Sequence, residues 1–488
     1  MTQRLCEQTL TALPAEVTRP GYDRASIKRG VVHLGVGAFH RAHQAAVFEA
    51  ALAAGDNRWG ITGVSLRSAG VRDQMVPQDG LYTLLVRNGD EQHARIIGAI
   101  DTVLVAPENP EAVVAALASP DVHIVTLTVT EKGYKLDPST GRLLADDPDV
   151  AADLDSLATP RTAPGFIVAG LARRRDAGLP PFTAISCDNL PHNGRRLEQA
   201  VLAIARAHDP ALAEWIGAEG AFPQTMVDRI VPATTADDIA ALAGLIGVED
   251  RAMVKTEPFT QWVIEDRFAG PRPDFAALGV QLTGSVPPWE DAKLRLLNGA
   301  HSGIAYLGGL AGIEFVHQVV GRAEGARFVE TLWDEAQVTL SPPPELDIAA
   351  YRRELMARFA NSALQHRTRQ IAMDGSQKLP QRLLATIAAR AERGLASPTL
   401  ALAVAAWMRW QGGVDDAGNG FVVDDPLADR TSATLSGCTS AEERVAALLA
   451  LDAVFPAPLA ANADFRAALV GWLQVLEQNG ALAALGRI

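Results

Sequence analysis

A polar cluster interrupts an apolar, helix-like segment at residues 289–301. Lys293, Asn298 and His301 stand there among leucines and small residues. On an α-helix Asn298 and His301 are i,i+3 neighbours, and Lys293 precedes His301 by a little over two turns, so the three side chains can share one side. Because burial disfavours a charged lysine, a half-buried one can accept a proton from an alcohol near neutral pH. The spacing also fits a surface lysine and a capping asparagine.

A second candidate site follows the first strand-like segment. The β-branched run that starts at Val31 ends in Gly35-Val36-Gly37, and a helix-like segment comes next. Such a turn lets the backbone approach a pyrophosphate, which is how nicotinamide dinucleotides are held. Because His40 stands where the third glycine of the usual fingerprint is expected, an ordinary strand–helix turn is also possible. The predicted cofactor-binding turn consists of Gly35, Val36, Gly37, Ala38, Phe39 and His40.

Motifs of several other enzyme classes are absent from the sequence. It contains no Gly-x4-Gly-Lys-Ser/Thr phosphate loop, no His-Glu-x-x-His helix and no Tyr-x-x-x-Lys pair. The three cysteines, Cys6, Cys187 and Cys438, lack the spacing of zinc ligands or of a disulfide framework. We therefore expect a base that works without a metal, and a reducing, cytoplasmic location.

The composition indicates which kinds of binding partner this protein has. The 488 residues include 57 acidic and 44 basic side chains, a formal net charge of -13, which argues against a nucleic-acid binder. With 48% hydrophobic and 21% charged residues, the chain is expected to be folded rather than disordered. The sequence has no apolar signal segment and no run long enough to span a membrane. We expect no membrane partner and a small-molecule ligand.

The pattern of elements predicts an α/β fold with two domains. The strand-like run that starts at Val31 and the runs at 61–66, 81–87, 93–100, 123–130 and 182–190 alternate with helix-like segments, which is typical of a parallel sheet. From Asp291 onward almost all segments have helical periodicity. Pro287 and Pro288 disfavour continued strand or helix, so we place the boundary there, although a loop within one domain fits as well. We predict a Rossmann-type domain over 1–284 and a mostly α-helical substrate and catalytic domain over 285–488.

Seven segments that span most of the chain together resemble the mannitol dehydrogenase family, the polyol-specific long-chain dehydrogenases. They read HLGVGAFHRAHQA (33–45), TLTVTEKGY (126–134), SCDNLPHNG (186–194), FPQTMVDRIVPATT (222–235), EPFTQWVIEDRF (257–268), KLRLLNGAHS (293–302) and DGSQKLP (374–380). The resemblance implies a Rossmann-type domain, a helical domain with substrate in the cleft between them, NAD as cofactor and no metal. It also suggests a monomer or a small homo-oligomer.

The resemblance further implies roles for individual residues. Lys293 matches the general base, Asn189 and Asn298 match amide donors to the reacting oxygen, and His301 matches a substrate-positioning group. Glu131 and Glu290 match acidic residues that move the proton between the lysine and water; solvated surface carboxylates are the alternative. Asp228 and Lys378 match substrate contacts. A dinucleotide-binding sensor without chemistry is a distant alternative, but these catalytic residue types are all present.

The substrate is less sharply indicated than the chemistry. The segments around Gly35 and Asn298 resemble the mannitol 2-dehydrogenases, whereas residues 366–382 resemble the fructuronate reductases, which interconvert D-fructuronate and D-mannonate. At Gln370 the mannitol enzymes tend to place an arginine that contacts substrate. A uronate carboxylate needs cations or donors, so we favour the sugar acid over mannitol. The candidate substrate contacts in this segment are His366, Arg367, Gln370, Lys378 and Arg382.

The cofactor preference depends on the end of the second strand. An acidic residue there usually binds the adenosine ribose and rejects the 2′-phosphate of NADP. This sequence reads Ser65-Leu66-Arg67-Ser68-Ala69-Gly70, without an acid. We therefore expect that NAD is preferred and that Arg67 lets the enzyme tolerate NADP.

Overall fold

The computed structural model describes residues 3–137 and 140–488, and the chain forms two compact units. The first unit ends at Val286, and the second extends from Pro287 to Ile488. Pro287 is the first residue of a helix rather than part of a linker, since a proline fits the first turn, where its missing N–H has no helical partner. No helix in the described part of the chain is long and apolar enough to cross a membrane.

All the named strands lie in the first unit. They are β1 (Val31–Leu34), β2 (Ile61–Ser65), β3 (Tyr82–Asn88), β4 (Glu91–Ile97), β5 (Ile100–Val105), β6 (Ile124–Leu127), β7 (Thr183–Ser186), β8 (Thr225–Asp228), β9 (Val254–Thr256), β10 (Gln261–Glu265) and β11 (Gln281–Thr283). The central sheet is parallel throughout, with the order β5-β2-β1-β6-β7. Val31 of β1 pairs with Ile61 on one side and with Ile124 on the other. This sheet confirms the predicted Rossmann-type architecture.

Two small sheets accompany the central one. The strands β3 and β4 form an antiparallel hairpin that also pairs with β9, and β10 pairs with β8 and β11. The alternating pattern predicts strands near 81–87 and 93–100 as part of a parallel sheet. The structure instead pairs these two strands antiparallel in a separate small sheet. The edge strand β5 was not predicted separately, because its apolar run continues directly from β4.

The helices of the first unit cover both faces of the central sheet. They are α1 (Ala38–Ala42), α2 (Gln44–Ala53), α3 (Gly70–Met75), α4 (Pro110–Ala118), α5 (Pro148–Asp155), α6 (Ala163–Asp176), α7 (Asn193–His208), α8 (Pro210–Glu219) and α9 (Ala236–Ile246). Alternate strand residues enter two separate cores. Val32 and Leu34 pack in one core, and Val31 packs in the other. Both faces of the sheet are therefore buried, as parallel sheets require.

The second unit is helical. Its α-helices are α10 (Pro287–Ala292), α11 (Gly299–Leu310), α12 (Val316–Val320), α13 (Ala323–Gln337), α14 (Ile348–Ala360), α15 (Thr368–Ile371), α16 (Gly375–Leu379), α17 (Ala385–Ala391), α18 (Pro398–Trp410), α19 (Ala428–Leu435), α20 (Ala441–Leu449), α21 (Ala457–Ala460) and α22 (Ala463–Leu485). The helix α11 is buried along its whole length. Two π-helical turns, Lys293–Asn298 and Pro380–Leu384, join α10 to α11 and α16 to α17 without a break.

Candidate active site

The glycine turn lies at the carboxyl end of β1, in the middle of the parallel sheet. The chain builds β2 and β5 on one side of β1 and then β6 and β7 on the other, so the strand order reverses between β1 and β6. Ligands of open α/β sheets bind in the crevice at such a reversal. Gly35 has a φ of +95°, and a Cβ on it would lie 2.2 Å from the carbonyl oxygen of Thr128 after β6. The fold itself therefore requires glycine at position 35.

Gly37, unlike Gly35, is not required by backbone conformation or by close packing. Its backbone is extended, with a φ of -76°, so any residue could adopt it. A Cβ on Gly37 would find only the carbonyl oxygen of Gly35, at 3.8 Å. The protein itself has room for a side chain at Gly37. A glycine is needed there only if a bound group has to approach the backbone closely. The turn Gly35–His40 thus fits a dinucleotide pyrophosphate.

The structure places Arg67 on the exposed connection that follows β2. The Ser65 hydroxyl donates to the carbonyl oxygen of Ser68 at 2.6 Å and so tightens this connection. Its residues, Ser65 to Gly70, include no carboxylate. The role of Arg67 toward a 2′-phosphate stays a prediction.

The loops after β6 and β7 are joined by a buried carboxylate. Asp188 accepts hydrogen bonds from the amides of Val129 and Thr130, at 3.1 and 2.8 Å, and from the Tyr134 hydroxyl at 2.6 Å. Burial raises the pKa of Asp188, and these bonds oppose the rise. The predicted residues Glu131 and Asn189 are the exposed neighbours of this junction. Asp188 therefore brings their two loops together.

Sequence reasoning did not single out Asp188, although it stands inside the segment SCDNLPHNG. The available signal was an aspartate two residues after the apolar run that forms β7. Thr130 has a φ of +65°, a conformation that costs a β-branched residue energy, and it directly precedes Glu131. The predicted substrate contact Asp228 ends β8 and is 6% exposed.

In the second unit the predicted catalytic residues lie on the continuous helical segment α10–π-turn–α11. Lys293, Asn298 and His301 are all buried. The sequence predicted a regular α-helix, but the amide of Gly299 donates to the carbonyl oxygen of Leu294, an i,i−5 bond. In a regular α-helix Lys293 and Asn298 would be roughly 140° apart. In a π-turn the hydrogen bonds connect residues five apart, so these residues lie one above the other on the helix. Lys293 and Asn298 are therefore brought toward one face.

Asn298 and His301 form no hydrogen bond to another side chain among the described residues. Among the described residues, the Asn298 side-chain amide makes no hydrogen bond. The His301 ring contacts the Phe359 ring, with centroids 4.5 Å apart, and the His366 ring at 5.2 Å. Burial lowers the pKa of His301 well below its ordinary value, and the nearby His366, Arg358 and Arg382 lower it further. His301 is therefore neutral and keeps its hydrogen-bonding capacity for a ligand.

Glu290 lies one turn before Lys293 and is half-buried. Burial raises its pKa to about 7; Lys293 opposes the rise and Asp291 adds to it. A carboxyl with a pKa near neutrality can both take up and release a proton under working conditions. The proton-relay role of Glu290 stays a prediction, and its raised pKa is the property that such a role needs.

A group of cations surrounds the two histidines. Arg358 is buried, and Arg382 is partly buried and donates to the Ser302 hydroxyl at 3.3 Å. Burial lowers the pKa of Arg382. No carboxylate in residues 3–137 and 140–488 forms an ion pair with Arg382. No spacing in the sequence pointed to Arg358, which is brought here by the packing of α14.

Lys378 belongs to the same group of cations. Burial lowers its pKa, Arg382 adds to the effect, and Asp374 opposes it. Its ammonium donates to the Met373 carbonyl oxygen at 2.5 Å and lies 3.7 Å from the Asp374 carboxylate. Burial also lowers the pKa of His366, to about 4, so His366 is neutral. Of the substrate contacts predicted in 366–382, the structure brings His366 and Arg382 to His301 and places Lys378 beside Arg382.

Arg367 and Gln370 are placed differently. The Arg367 guanidinium forms an ion pair with Glu314, lies over the Phe315 ring at 5.5 Å and is 61% exposed. Arg367 lies apart from His366, because successive residues in an extended segment point to opposite sides, and its role as a substrate contact stays a prediction. Gln370 is exposed on α15 and makes no hydrogen bond within the described residues. In those residues no group of three or more His, Cys, Asp or Glu side chains could hold a metal ion.

Comparison with known proteins identifies the family to which this chain belongs. The family model of the mannitol dehydrogenase Rossmann domain matches residues 29–277, and that of the mannitol dehydrogenase C-terminal domain matches residues 285–476. The chain therefore belongs to the mannitol dehydrogenase family, as the motifs predicted, and it is an oxidoreductase that acts on CH–OH groups.

Individual relatives are similar over nearly their whole length. The uncharacterised oxidoreductase YeiQ of Escherichia coli (strain K12) is 44% identical over 475 residues, 97% of each chain. The D-mannonate oxidoreductase of the same organism is 43% identical over 474 residues, 95% of this chain and 96% of the relative. A structure of Pseudomonas fluorescens mannitol 2-dehydrogenase in a ternary complex with NAD and D-mannitol superposes with a TM-score of 0.85 at 38% identity, with 99% of both chains covered.

Proposed function

We propose that this protein is an NAD(H)-dependent oxidoreductase that interconverts a secondary alcohol of a six-carbon sugar acid and its ketone, with D-mannonate and D-fructuronate as the pair. The observation that carries the choice of a sugar acid is Arg382. Its guanidinium is partly buried, lies near His301, and has no acidic partner among the described residues. A desolvated cation without a counter-ion is costly, and a substrate carboxylate would supply the missing charge.

The neighbouring cation supports the same choice. Lys378 is close enough to Arg382 to lower its own pKa by charge repulsion. Two adjacent cations repel each other, and an anion between them or beside them relieves that repulsion. Lys378 already has the Asp374 carboxylate at 3.7 Å, so Arg382 is the cation that needs a counter-charge. A neutral hexitol could accept a hydrogen bond from Arg382, but it would not supply that charge.

The chemistry follows from the helical segment that holds Lys293. NAD, when bound, takes up or supplies the hydride. In alcohol oxidation the neutral Lys293 Nζ accepts the hydroxyl proton, and Glu290 passes that proton to water. In ketone reduction the protonated lysine donates it back to the oxygen. The Asn298 amide donates a hydrogen bond that is strongest to the developing alkoxide.

The first unit supplies the cofactor turn in this proposal. The Gly35–His40 turn would hold the pyrophosphate, and Arg67 would lie toward the adenosine ribose and tolerate a 2′-phosphate. The roles of Asn189, Glu131 and Asp228 are proposed from the motifs alone, and single alanine variants of each test them. A 43% identical D-mannonate oxidoreductase supports the sugar acid.

Mannitol 2-dehydrogenase activity is the second candidate. It is favoured by the 38% identical Pseudomonas fluorescens structure, which holds NAD and D-mannitol and covers 99% of this chain. In this alternative the substrate pair is D-mannitol and D-fructose, and Arg382 and Lys378 hydrogen-bond to hydroxyl groups.

The test compares D-fructuronate, D-fructose and D-tagaturonate as oxidants of NADH, first with the wild type and then with Arg382→Met. We expect the wild type to prefer fructuronate in kcat/KM. Since a hydrogen bond to a charged group contributes about 1.5–3 kcal/mol, Arg382→Met should lower kcat/KM for fructuronate by about 10- to 100-fold. The value for fructose should change by less than about threefold. Arg367→Met is the matched control, because it removes an exposed arginine paired with Glu314.

The outcomes separate the two candidates. A wild-type preference for fructose would favour mannitol 2-dehydrogenase. An equal loss for fructuronate and fructose in Arg382→Met would show that Arg382 shapes the site without binding the carboxylate.

A further inference from the structure

Two buried imidazole rings lie beneath the glycine turn. His33 stands on β1 and His40 on α1, and both are fully buried. Their rings are stacked in parallel, with centroids 3.3 Å apart and planes inclined by 9°. Burial lowers the pKa of His33 to about 3 and that of His40 well below its ordinary value, so both rings are neutral and stack without charge repulsion.

The hydrogen bonds of His33 identify its tautomer. Its Nε2 lies 3.1 Å from the Gly35 carbonyl oxygen, which can only accept, so Nε2 carries the proton. The same nitrogen lies 2.9 Å from the Thr128 hydroxyl oxygen. Nδ1 therefore accepts, and the Thr126 hydroxyl donates to it at 2.7 Å. Because both ring nitrogens are engaged, the ring is held in one orientation.

The Gly35 carbonyl oxygen is the meeting point of three donors. Besides His33, it accepts from the Thr128 hydroxyl at 2.8 Å and from the Gly37 amide at 2.6 Å. These bonds fix the peptide that follows Gly35 and therefore set the direction in which the turn presents its backbone. They lie at the reversal of strand order between β1 and β6, where the crevice opens.

His40 occupies the position of the third fingerprint glycine. In the usual motif that glycine permits close packing of the helix on the strand. Here the His40 ring packs flat on the His33 ring, so an imidazole pair fills the space between α1 and β1. His33 replaces an aliphatic residue of the strand, and His40 replaces the glycine at the start of the helix. Because their rings pack on each other, the two replacements form one structural feature.

We propose that His33, as the neutral Nε2–H tautomer packed on His40, is a positioning residue that holds the Gly35–Gly37 turn in its dinucleotide-binding shape. The assignment rests on the proposed cofactor site. His33 would act through the Gly35 carbonyl and would touch neither the cofactor nor the substrate.

Two substitutions of His33 separate its two hydrogen bonds. In His33→Gln the side-chain amide nitrogen takes the place of Nε2 and can still donate to the Gly35 carbonyl. In His33→Asn the shorter amide takes the place of Nδ1, so the contact with Thr126 is kept and the donor to Gly35 is lost. Each variant thus lacks one bond, and only one of these bonds reaches the turn.

The measurement is the Kd of NADH from fluorescence titration of the full-length protein, together with kcat, the KM of the sugar substrate and the thermal midpoint. A hydrogen bond contributes about 1 kcal/mol, so we expect His33→Asn to bind NADH about fivefold more weakly. His33→Gln should stay within about twofold of the wild type. For both variants kcat at saturating NADH and the KM of the sugar should be unchanged.

A second pair keeps the test decisive if the buried substitutions fail to fold. Thr128 is only partly buried and donates to the same carbonyl. Thr128→Val should weaken NADH binding, and Thr128→Ser should restore it. Equal Kd values for His33→Asn and the wild type, or for Thr128→Val and Thr128→Ser, would overturn the assignment. A wild type that binds no NADH would instead overturn the proposed cofactor, and with it the role of the turn.

Discussion

The half-buried carboxyl of Glu290 makes the stability of the protein depend on pH. Its pKa is raised from an ordinary 4.5 to about 7, so the folded state binds this proton more tightly than the unfolded state. The free energy of unfolding therefore falls as pH rises from about 4.5 to 7. The difference corresponds to at most about 3 kcal/mol at pH 8. Glu290→Gln removes the titrating group and keeps a side chain of similar size.

The prediction is that Glu290→Gln stabilises the protein at pH 8 and has little effect at pH 4.5. For a unit of this size, about 3 kcal/mol corresponds to roughly 6 to 12 °C in the thermal midpoint. The assay is the thermal midpoint of wild type and variant at pH 4.5, 6, 7 and 8. The pH profile of kcat is measured in parallel, because Glu290→Gln should lower kcat and remove an inflection near pH 7.

Asp291→Asn is the matched control, because Asp291 is the exposed neighbour of Glu290 and adds only a secondary, pKa-raising effect. A difference in thermal midpoint between wild type and Glu290→Gln that is constant across this pH range would refute the reasoning. It would mean that the pKa of Glu290 is the same in the folded and unfolded states.

Three further predictions concern the base and the cofactor turn. Lys293→Ala should nearly abolish turnover while the Kd of NADH stays within about twofold of the wild type; unchanged turnover would remove Lys293 as the base. Gly35→Ala should destabilise the fold, because its Cβ would meet a carbonyl oxygen at 2.2 Å, whereas Gly37→Ala should leave the thermal midpoint unchanged and weaken NADH binding; the reverse pattern would contradict the assignment. The enzyme should prefer NADH but use NADPH, and Arg67→Ala should lower kcat/KM for NADPH more than for NADH; a wild-type preference for NADH above about a thousandfold would exclude this tolerance.

The sequence was sufficient to predict the fold class because it contains two strong patterns, a βαβ unit near the N-terminus and helical periodicity in the second half. The run from Val31 to the first glycine turn and the spacing to Ile61 define a βαβ unit, and the helical periodicity after Asp291 extends over several segments. The small sheets were missed because β8, β9 and β11 are only three or four residues long. Their pairing is set by tertiary contacts that a local pattern does not contain.

The candidate site was predictable in part. Lys293, Asn298 and His301 came from motif and spacing, but the π-turn between them could not be read from apolar periodicity, which does not distinguish hydrogen bonds to i−4 from those to i−5. The exposure of Arg367 was also unpredictable, because adjacent polar residues in a segment without regular structure can point either way. Arg358 entered the site only through the packing of α14.

The π-turn at Lys293–Asn298 has a consequence for how this segment tolerates change in length. A π-turn is an α-helix with one extra residue inserted, so deletion of one residue between Lys293 and Asn298 would let the helix close into regular α-helical bonding. Every residue type needed for catalysis would still be present. Lys293, however, would be turned by roughly 100° relative to His301, one residue's rotation in an α-helix. In the proposed mechanism the register of this helix therefore matters as much as the presence of Lys293 itself.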